Sequence, residues 1–222
     1  MEKDRAAKIL KIFKETLALP DLVKPKSDPF ETLVITIISQ NTADRNTIKA
    51  FENLSQKFKI VPGVLVKAPI NQIECTIKPA GLSKAKALAI KQAAKIVLYK
   101  HEGTFTSIFS MPTEEARNIL MQIPGVGPKT ADVVLLFSAN KATIPVDTHV
   151  KRVSKRLGFA AQKSGYETIR KNLQSLFPVH DYYFVHLLFI SHGRKTCKAL
   201  RPLCRQCSIN QYCPSTKLGD VQ

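Results

Sequence analysis

The stretch LMQIPGVGPKTADVVL, residues 120–135, decides the fold. Apolar residues recur at helical spacing on both sides of a turn, residues 124–128, that is built from glycines, prolines and one valine. Glycine permits positive φ angles, and Pro128 preorganises the first turn of the second helix. The stretch therefore predicts two helices joined by a short Gly-rich turn, a helical hairpin over about residues 113–139.

The turn of this hairpin has the properties of a phosphate-binding site. The free N–H groups at the start of the second helix lie at the positive end of its dipole, and the glycines leave them accessible. Backbone amides do not distinguish bases, so we expect the hairpin to hold a nucleic-acid strand without reading its sequence. A purely structural helix corner is the other interpretation. A Walker A loop is disfavoured, because Pro128 separates the glycine from Lys129 and no strand precedes the turn.

The same helical periodicity extends through most of the chain. Asp28, Pro29 and Glu31 predict an N-cap, a first helical residue and a capping box for a core helix. An almost unbroken apolar run, residues 182–190, predicts another helix, which Gly193 is expected to end. No segment shows a convincing strand alternation, so the predicted fold class is all-α.

The composition favours a polyanion as partner. The 222 residues include 34 Lys and Arg against 17 Asp and Glu, a formal net charge of +17. This charge alone does not separate nucleic acid from an anionic membrane surface. No segment reaches the roughly 18 uncharged apolar residues of a membrane helix, and the charged N-terminus leads into no signal-peptide core. We therefore expect a protein that is neither membrane-bound nor secreted.

Two residues are candidates for covalent chemistry. Lys129 lies in the first turn of the second hairpin helix, where the dipole disfavours a cation, and an amine must be neutral to act as a nucleophile. A phosphate contact or a salt bridge is its other interpretation. Asp147 is placed to cap the next helix, and a capping carboxylate is also held ionised in a fixed orientation, where it can activate an amine or stabilise positive charge on a sugar ring. His149 is expected to be structural.

Four of the five cysteines crowd near the C-terminus with the spacing Cys-x6-Cys-x2-Cys-x5-Cys. They are Cys197, Cys204, Cys207 and Cys213. Such crowding indicates metal ligation. A structural zinc site usually offers two close pairs, so the single Cys-x2-Cys favours a cubane iron–sulfur cluster, with zinc and chance spacing as alternatives. Gly193 is expected to release the chain into this loop, and the remaining Cys75, in an apolar stretch, is expected to be buried.

These features, in this order, resemble the endonuclease III family of helix-hairpin-helix DNA glycosylases. The resemblance covers nearly the whole chain. It rests on residues 120–135, on VDTHVKRV at residues 146–153, and on HGRKTC at residues 192–197 with the spaced cysteines after it. The chain departs from the family at Pro128, where a basic residue is often found, and at Asn41, where a small residue is usual.

The resemblance implies two helical domains with an active-site cleft between them. A helical barrel that carries the hairpin would span residues 27–140. The second domain would join residues 1–26 to residues 141–222 and would carry a 4Fe-4S cluster on the loop at residues 197–213.

The resemblance also implies roles for individual residues. Lys129 matches the family's catalytic lysine, and Asp147 matches its catalytic aspartate. Gln40 matches the residue that fills the gap left by an everted base, although a polar residue at a helix end is its other interpretation. The remaining expected DNA contacts are Gly125, Val126, Gly127 and Thr130. The four clustered cysteines would be the ligands of the 4Fe-4S cluster.

The function implied by the resemblance is that of a bifunctional DNA glycosylase and AP lyase of base excision repair. Such an enzyme would act as a monomer on double-stranded DNA that contains damaged bases or abasic sites. It would excise damaged, oxidised pyrimidines and cut the strand 3′ to the abasic site by β-elimination, in the cytoplasm with the nucleoid or in a nucleus. A monofunctional mismatch or uracil glycosylase of the same superfamily is one alternative, and a non-catalytic DNA-binding module is another.

Overall fold

The chain is built from α-helices joined by turns. The computed structural model describes residues 1–20 and 28–217, and within these ranges it contains no strand. In chain order the helices are α1 (Glu2–Thr16), α2 (Pro29–Ser39), α3 (Asp44–Lys57), α4 (Pro62–Lys67), α5 (Ile70–Thr76), α6 (Ser83–Lys100), α7 (Thr106–Ser110), α8 (Thr113–Met121), α9 (Pro128–Ala139), α10 (Thr148–Arg156), α11 (Tyr166–Leu176), α12 (Tyr182–Lys195) and α13 (Pro214–Lys217). The predicted all-α class is confirmed.

The chain divides into two units. One comprises Met1–Pro20 and Ala142–Gln222, and the other comprises Asp21–Lys141. The assignment of a helical barrel to residues 27–140 and of a cluster domain to residues 1–26 and 141–222 stays a prediction. Among the described residues, no helix combines the length and the apolarity that crossing a bilayer requires.

The unit Asp21–Lys141 is organised around α2. Asp28 Oδ1 accepts hydrogen bonds from the N–H groups of Phe30 at 2.8 Å and Glu31 at 3.0 Å, so the predicted N-cap is confirmed. The helix is apolar on nearly every side, and eight of its eleven residues are buried. It packs against α3, α6 and α9. This burial fixes the position of Gln40, which follows the last residue of α2.

The other unit is organised around α12, which packs against α1 and α10. Its core contains an aromatic cluster of edge-to-face pairs. Phe13 meets Phe189 with ring centroids 5.9 Å apart, and Phe177 meets Phe159 at 6.0 Å and Phe189 at 6.1 Å. Edge-to-face contacts of this kind stabilise a core beyond the burial of apolar area. They hold together the helices that lead into the cysteine loop.

Gly193 lies inside α12 and does not end it, because the helix continues to Lys195. A Cβ atom at position 193 would stand 2.9 Å from the Cβ of His149 on α10. The glycine therefore allows α10 and α12 to approach closely. The prediction that Gly193 ends this helix and releases the chain into the cysteine loop is wrong.

Cys75 is exposed, and the prediction that it is buried is also wrong. It lies on α5, a helix of only seven residues that buries Ile73. The buried Ile77 follows four residues after Ile73 and lies on the same side of the chain. Cys75, midway between them in sequence, faces away from that side.

Candidate active site

The predicted hairpin consists of α8 and α9, and a buried ion pair joins these two helices. Arg117 Nε lies 2.9 Å from Asp132 Oδ1, and neither side chain is more than 5% exposed. Buried opposite charges compensate for lost hydration only when their geometry is good. The pair therefore fixes how α8 packs on α9, and with it the position of the turn between them.

Gly125 brings this turn against α6. Its φ angle is +84°, and a Cβ atom there would stand 2.7 Å from the Cβ of Ala89. The position thus excludes side chains both by backbone conformation and by lack of space. Val126 also anchors the turn, since its side chain is buried and its N–H group donates to the carbonyl of Ile123 at 2.9 Å.

Gln40 contacts the turn directly. Its Nε2 donates to the carbonyl of Gly125 at 2.9 Å and lies 3.3 Å from Oγ1 of Thr130. The next residue, Asn41, is exposed and has a φ angle of +53°, so the chain turns sharply after α2. The structure therefore brings together three of the residues predicted to contact DNA, namely Gln40, Gly125 and Thr130.

Lys129 lies in the first turn of α9 and is partly exposed. Gly127 is the N-cap residue, and among the described residues no side chain caps this helix. The N–H groups of its first turn thus remain suited to bind an anion at the positive end of the dipole. Thr130, which contacts Gln40, is the neighbour of Lys129, so the amine is carried by the same turn as the predicted DNA contacts.

Asp147 is the N-cap of α10. Its Oδ1 accepts a hydrogen bond from the N–H group of Val150 at 2.7 Å, as expected for a capping aspartate. The side chain is partly exposed. The cap holds the carboxylate in one orientation at the surface of its own unit. Lys129 belongs to the other unit, and the pairing of Lys129 with Asp147 stays a prediction.

The segment that leads to Asp147 is held by two side chains of its unit. His186 Nδ1 lies 2.9 Å from the carbonyl of Pro145, and because a carbonyl only accepts, this nitrogen carries the proton. The hydroxyl of Tyr166 accepts from the N–H group of Val146 at 3.3 Å. The backbone around Asp147 is therefore fixed before this residue by these two contacts and after it by α10.

His149 has a structural environment, as expected. Its Nδ1 lies 3.1 Å from Nη2 of Arg152, which also donates to the carbonyl of Gly193 at 2.9 Å. Burial and the cations Arg152 and Arg194 lower the pKa of His149, and this outweighs the opposing effect of Asp147. His149 is thus part of the contact between α10 and α12.

The four cysteines of the C-terminal loop line one pocket. Its lining also includes His192 from α12 and Arg156 from α10, and it contains no carboxylate among the described residues. Nowhere in the described ranges are three or more His, Cys, Asp or Glu side chains gathered closely enough to hold a single metal ion. Four thiols without a carboxylate are the donor set of a thiolate-bound metal centre.

The electrostatics of this pocket favour a bound cationic group. Burial raises the pKa of Cys207 and of Cys213, and the neighbouring cysteines raise both further. Four thiolates therefore gather there only with a cationic group that compensates their charge. Arg156 Nη1 lies 3.4 Å from Sγ of Cys197, where it can donate to a ligand sulfur.

Comparison with known proteins agrees with this geometry. Residues 34–179 match the HhH-GPD superfamily of base excision DNA repair proteins. The endonuclease III of Sulfolobus acidocaldarius is 37% identical over 185 residues, 83% of this chain and 81% of that protein. The endonuclease III of Escherichia coli is 32% identical over 221 residues, the full length of both. This chain belongs to the endonuclease III family.

Solved structures of the family share the fold. A non-covalent endonuclease III–DNA complex and a trapped endonuclease III–DNA covalent intermediate are each 30% identical to this chain with a TM-score of 0.84, over 98% of both chains. A thermostable thymine-DNA glycosylase at 22% identity, with a TM-score of 0.82, has the same fold. The cysteine loop lies beyond the superfamily match, but the full-length alignment with the Escherichia coli endonuclease III includes it.

Sequence reasoning missed two residues of this endonuclease III fold. Lys86 lies on the buried face of α6, and its position in the same helical row as Ile90 and Val97 was the available signal. Arg156 ends α10 beside a cysteine that lies far along the chain, and nothing in the local sequence indicates that contact.

Proposed function

We propose that this chain is a bifunctional DNA glycosylase and AP lyase of base excision repair. Its substrate would be double-stranded DNA that contains an oxidised pyrimidine or an abasic site, and it would act as a monomer. The observation that carries the proposal is the amine of Lys129 in the first turn of α9, beside Thr130, which contacts Gln40. A relative of the same family has been trapped in a covalent intermediate with DNA, as an attacking amine requires.

The hairpin would hold the DNA backbone and Gln40 would hold the base stack open. The exposed glycines Gly125 and Gly127 and the uncapped start of α9 suit a phosphate. A damaged nucleotide must leave the stack before its glycosidic bond is reachable, and this step costs less for weakly paired bases. Gln40, held by Gly125 and Thr130, is the side chain that would enter the vacancy. Val126 would support the turn from the core.

Lys129 would be the nucleophile. Its neutral Nζ attacks C1′ of the deoxyribose, a C–N bond forms, and the bond from C1′ to the base breaks as the base leaves and takes up a proton. Asp147, held by its Oδ1 in the cap, would accept a proton from the amine through Oδ2 and offset the positive charge that develops on the sugar.

Strand cleavage would follow from the same covalent bond. Loss of a further proton from Nζ and opening of the sugar ring give an imine between Lys129 and C1′. Removal of a proton from C2′ then expels the 3′ phosphate by β-elimination, and water releases the enzyme from the sugar. No other nucleophile is required, so one amine accounts for both base excision and strand cleavage.

Cys197, Cys204, Cys207 and Cys213 would hold a 4Fe-4S cluster. The cluster, when bound, would supply cationic iron that the four thiolates neutralise and would cross-link a loop of short turns. Arg156 would donate a hydrogen bond to one of its sulfur ligands. The cluster would thus keep the loop folded on α10 and α12. An enzyme of this kind works where genomic DNA is, in the cytoplasm or in a nucleus.

A panel of lesion-containing duplexes tests the proposed function. Each duplex carries one oxidised pyrimidine, 8-oxoguanine, uracil or mismatched thymine, and base release and strand cleavage are measured separately, the latter with and without alkali. We expect oxidised pyrimidines to give both products at the same rate, and Lys129→Gln to give neither. Base release that needs alkali for cleavage would establish the monofunctional glycosylase instead. Binding without base release from any duplex would establish the non-catalytic module.

A further inference from the structure

Lys86 is a charged side chain in the core of the unit Asp21–Lys141. It is 4% exposed and lies on the face of α6 that also buries Ala87, Ile90 and Ala93. Burial of an ammonium group is strongly unfavourable unless hydrogen bonds replace its hydration. A lysine at such a position needs a specific set of acceptors.

The structure supplies three of them. Lys86 Nζ donates to Oγ1 of Thr42 at 2.6 Å, to the carbonyl of Ile38 at 2.7 Å and to the carbonyl of Ala80 at 3.0 Å. An ammonium group has three donors, so these bonds saturate it. All three acceptors are uncharged oxygens. Burial lowers the pKa of Lys86.

Two of these acceptors belong to residues that flank Gln40 in the sequence. Ile38 lies in the last turn of α2, and Thr42 lies two residues after Gln40. Between them Asn41 has a φ angle of +53°, a left-handed conformation that asparagine adopts more readily than most other non-glycine residues. Thr42 Oγ1 also donates to the carbonyl of Ala80 at 2.6 Å. Lys86 and Thr42 thus tie the segment 38–42 to Ala80, three residues before the start of α6.

The same segment determines where the side chain of Gln40 lies. Gln40 Nε2 contacts the carbonyl of Gly125 and the hydroxyl of Thr130, and the backbone that carries Gln40 is fixed at Ile38 and at Thr42. A shift of this backbone would move the side chain of Gln40 and lengthen its hydrogen bonds to the hairpin. Hydrogen bonds from a charged donor are stronger than neutral ones, and they are strongest away from water.

We propose that Lys86 is a positioning residue for Gln40, and that it acts by fixing both ends of the turn that carries this glutamine against the hairpin. The proposal deepens the proposed function and rests on it, because it assigns to Lys86 an effect on the step in which Gln40 enters the DNA. Lys86 itself is buried and donates all three of its hydrogen bonds within the protein, so we expect it to contact neither the substrate nor the reacting atoms.

Lys91, on the same helix, provides a matched control. It is also partly buried, and its Nζ donates to the carbonyls of Val66 at 2.7 Å and Ala68 at 2.5 Å, at the end of α4. Removal of its charge breaks the same kind of lysine–carbonyl bonds. None of its acceptors lies in the segment that carries Gln40.

A double-mutant cycle tests the proposal. Single-turnover cleavage of a duplex with one abasic site is measured for Lys86→Met and Lys91→Met, each in the wild-type and in the Gln40→Ala background. We expect Lys86→Met to slow cleavage about tenfold with Gln40 present and less than about threefold in its absence, because residues of one hydrogen-bonded network couple. Lys91→Met should have the same effect in both backgrounds.

The position of the Gln40 side chain can also be followed by NMR, without measuring catalysis. The side-chain amide resonances of Gln40 in the free protein are assigned by their loss in Gln40→Ala. We expect Lys86→Met to shift or broaden them and Lys91→Met to leave them unchanged. If the wild-type protein cleaves no duplex while these resonances respond, the proposed function fails and the positioning role of Lys86 stands.

Thr42→Val provides a second route if Lys86→Met does not fold. It removes one acceptor of Lys86 and leaves the lysine in place, and we expect the same coupling with Gln40→Ala and the same change in the amide resonances. Equal slowing in both backgrounds, or unchanged Gln40 resonances in the folded variant, would overturn the proposal.

Discussion

The side-chain amide of Gln40 donates a hydrogen bond to the backbone carbonyl of Gly125, 2.9 Å away and 85 residues further along the chain. The bond joins the C-terminal end of α2 to the turn between α8 and α9. It places the predicted base-stack wedge and the predicted phosphate-binding hairpin side by side. Both belong to one unit, so this part of the site is assembled before DNA arrives.

Gly125 and Gly127 should respond differently to alanine. Gly125→Ala brings a Cβ atom to 2.7 Å from Ala89 at a positive φ angle, whereas a Cβ atom at position 127 meets nothing within 4 Å. We expect Gly125→Ala to lower the free energy of unfolding by about 1–3 kcal/mol. Gly127→Ala should lose less stability, since its only cost is a poorer N-cap for α9. It should weaken binding to an abasic duplex, because the new methyl group stands before the amides of α9. Denaturant unfolding and fluorescence anisotropy separate the two effects, and equal stability of both variants would refute this view of the turn.

Asp147 combines a structural and a proposed chemical role that two substitutions separate. Asp147→Ala removes the cap of α10 and should lower the free energy of unfolding by about 1 kcal/mol. Asp147→Asn keeps a capping oxygen and should leave stability nearly unchanged, but it removes the carboxylate and should slow single-turnover cleavage about a hundredfold. Thermal unfolding and cleavage rates are measured for both variants. Unimpaired cleavage by Asp147→Asn would show that Asp147 caps α10 and takes no part in the chemistry.

Gly193 should not tolerate alanine although it lies inside a helix. Alanine ordinarily stabilises a helix interior relative to glycine by about 0.5–1 kcal/mol. At Gly193 the added Cβ meets the Cβ of His149 at 2.9 Å, so we expect a net loss of stability. Gly63→Ala, on α4 with nothing within 4 Å of the new atom, is the control and should be neutral or stabilising. Two variants with the same midpoint of unfolding would contradict the close approach of α10 and α12.

The cysteines should differ in their effect on bound metal. Cys207→Ser removes a proposed cluster ligand and should abolish the visible absorption of the protein, lower its iron content and destabilise the loop, as expected when a cluster cross-links a segment of short turns. Cys75→Ser changes an exposed cysteine of the other unit and should leave colour and iron unchanged. Iron, sulfide and zinc are measured on protein purified without oxygen. A colourless wild-type protein that contains one zinc would show that the four cysteines bind zinc and not a cluster.

The local features of the fold were predictable because their signals are local. Periodicity on both sides of residues 124–128 indicated the hairpin, and Asp28 before Pro29 indicated the start of α2. The short helices α4, α5 and α7 have too few residues to show a period. The exposure of Cys75 has the same cause, since a seven-residue helix buries only part of an apolar stretch.

Features that depend on distant neighbours were not predictable. Glycine before a loop usually ends a helix, and only the proximity of His149 shows that Gly193 serves a helix contact. The helical row that Lys86 shares with Ile90 and Val97 indicates its burial, but nothing in the nearby sequence indicates its three acceptors, which come from two other segments. The roles of Lys129 and Asp147 are implied by the family resemblance of the motifs that carry them, and their pairing stays a prediction.

Trapping with borohydride tests the central claim most directly. An imine between Lys129 and C1′ of an abasic duplex is reduced to a stable amine, which leaves protein and DNA covalently joined. We predict that the wild-type protein forms this adduct, that Asp147→Asn forms it slowly, and that Lys129→Gln forms none although it still binds the duplex. Absence of an adduct with the wild-type protein, or an undiminished adduct with Lys129→Gln, would contradict the account.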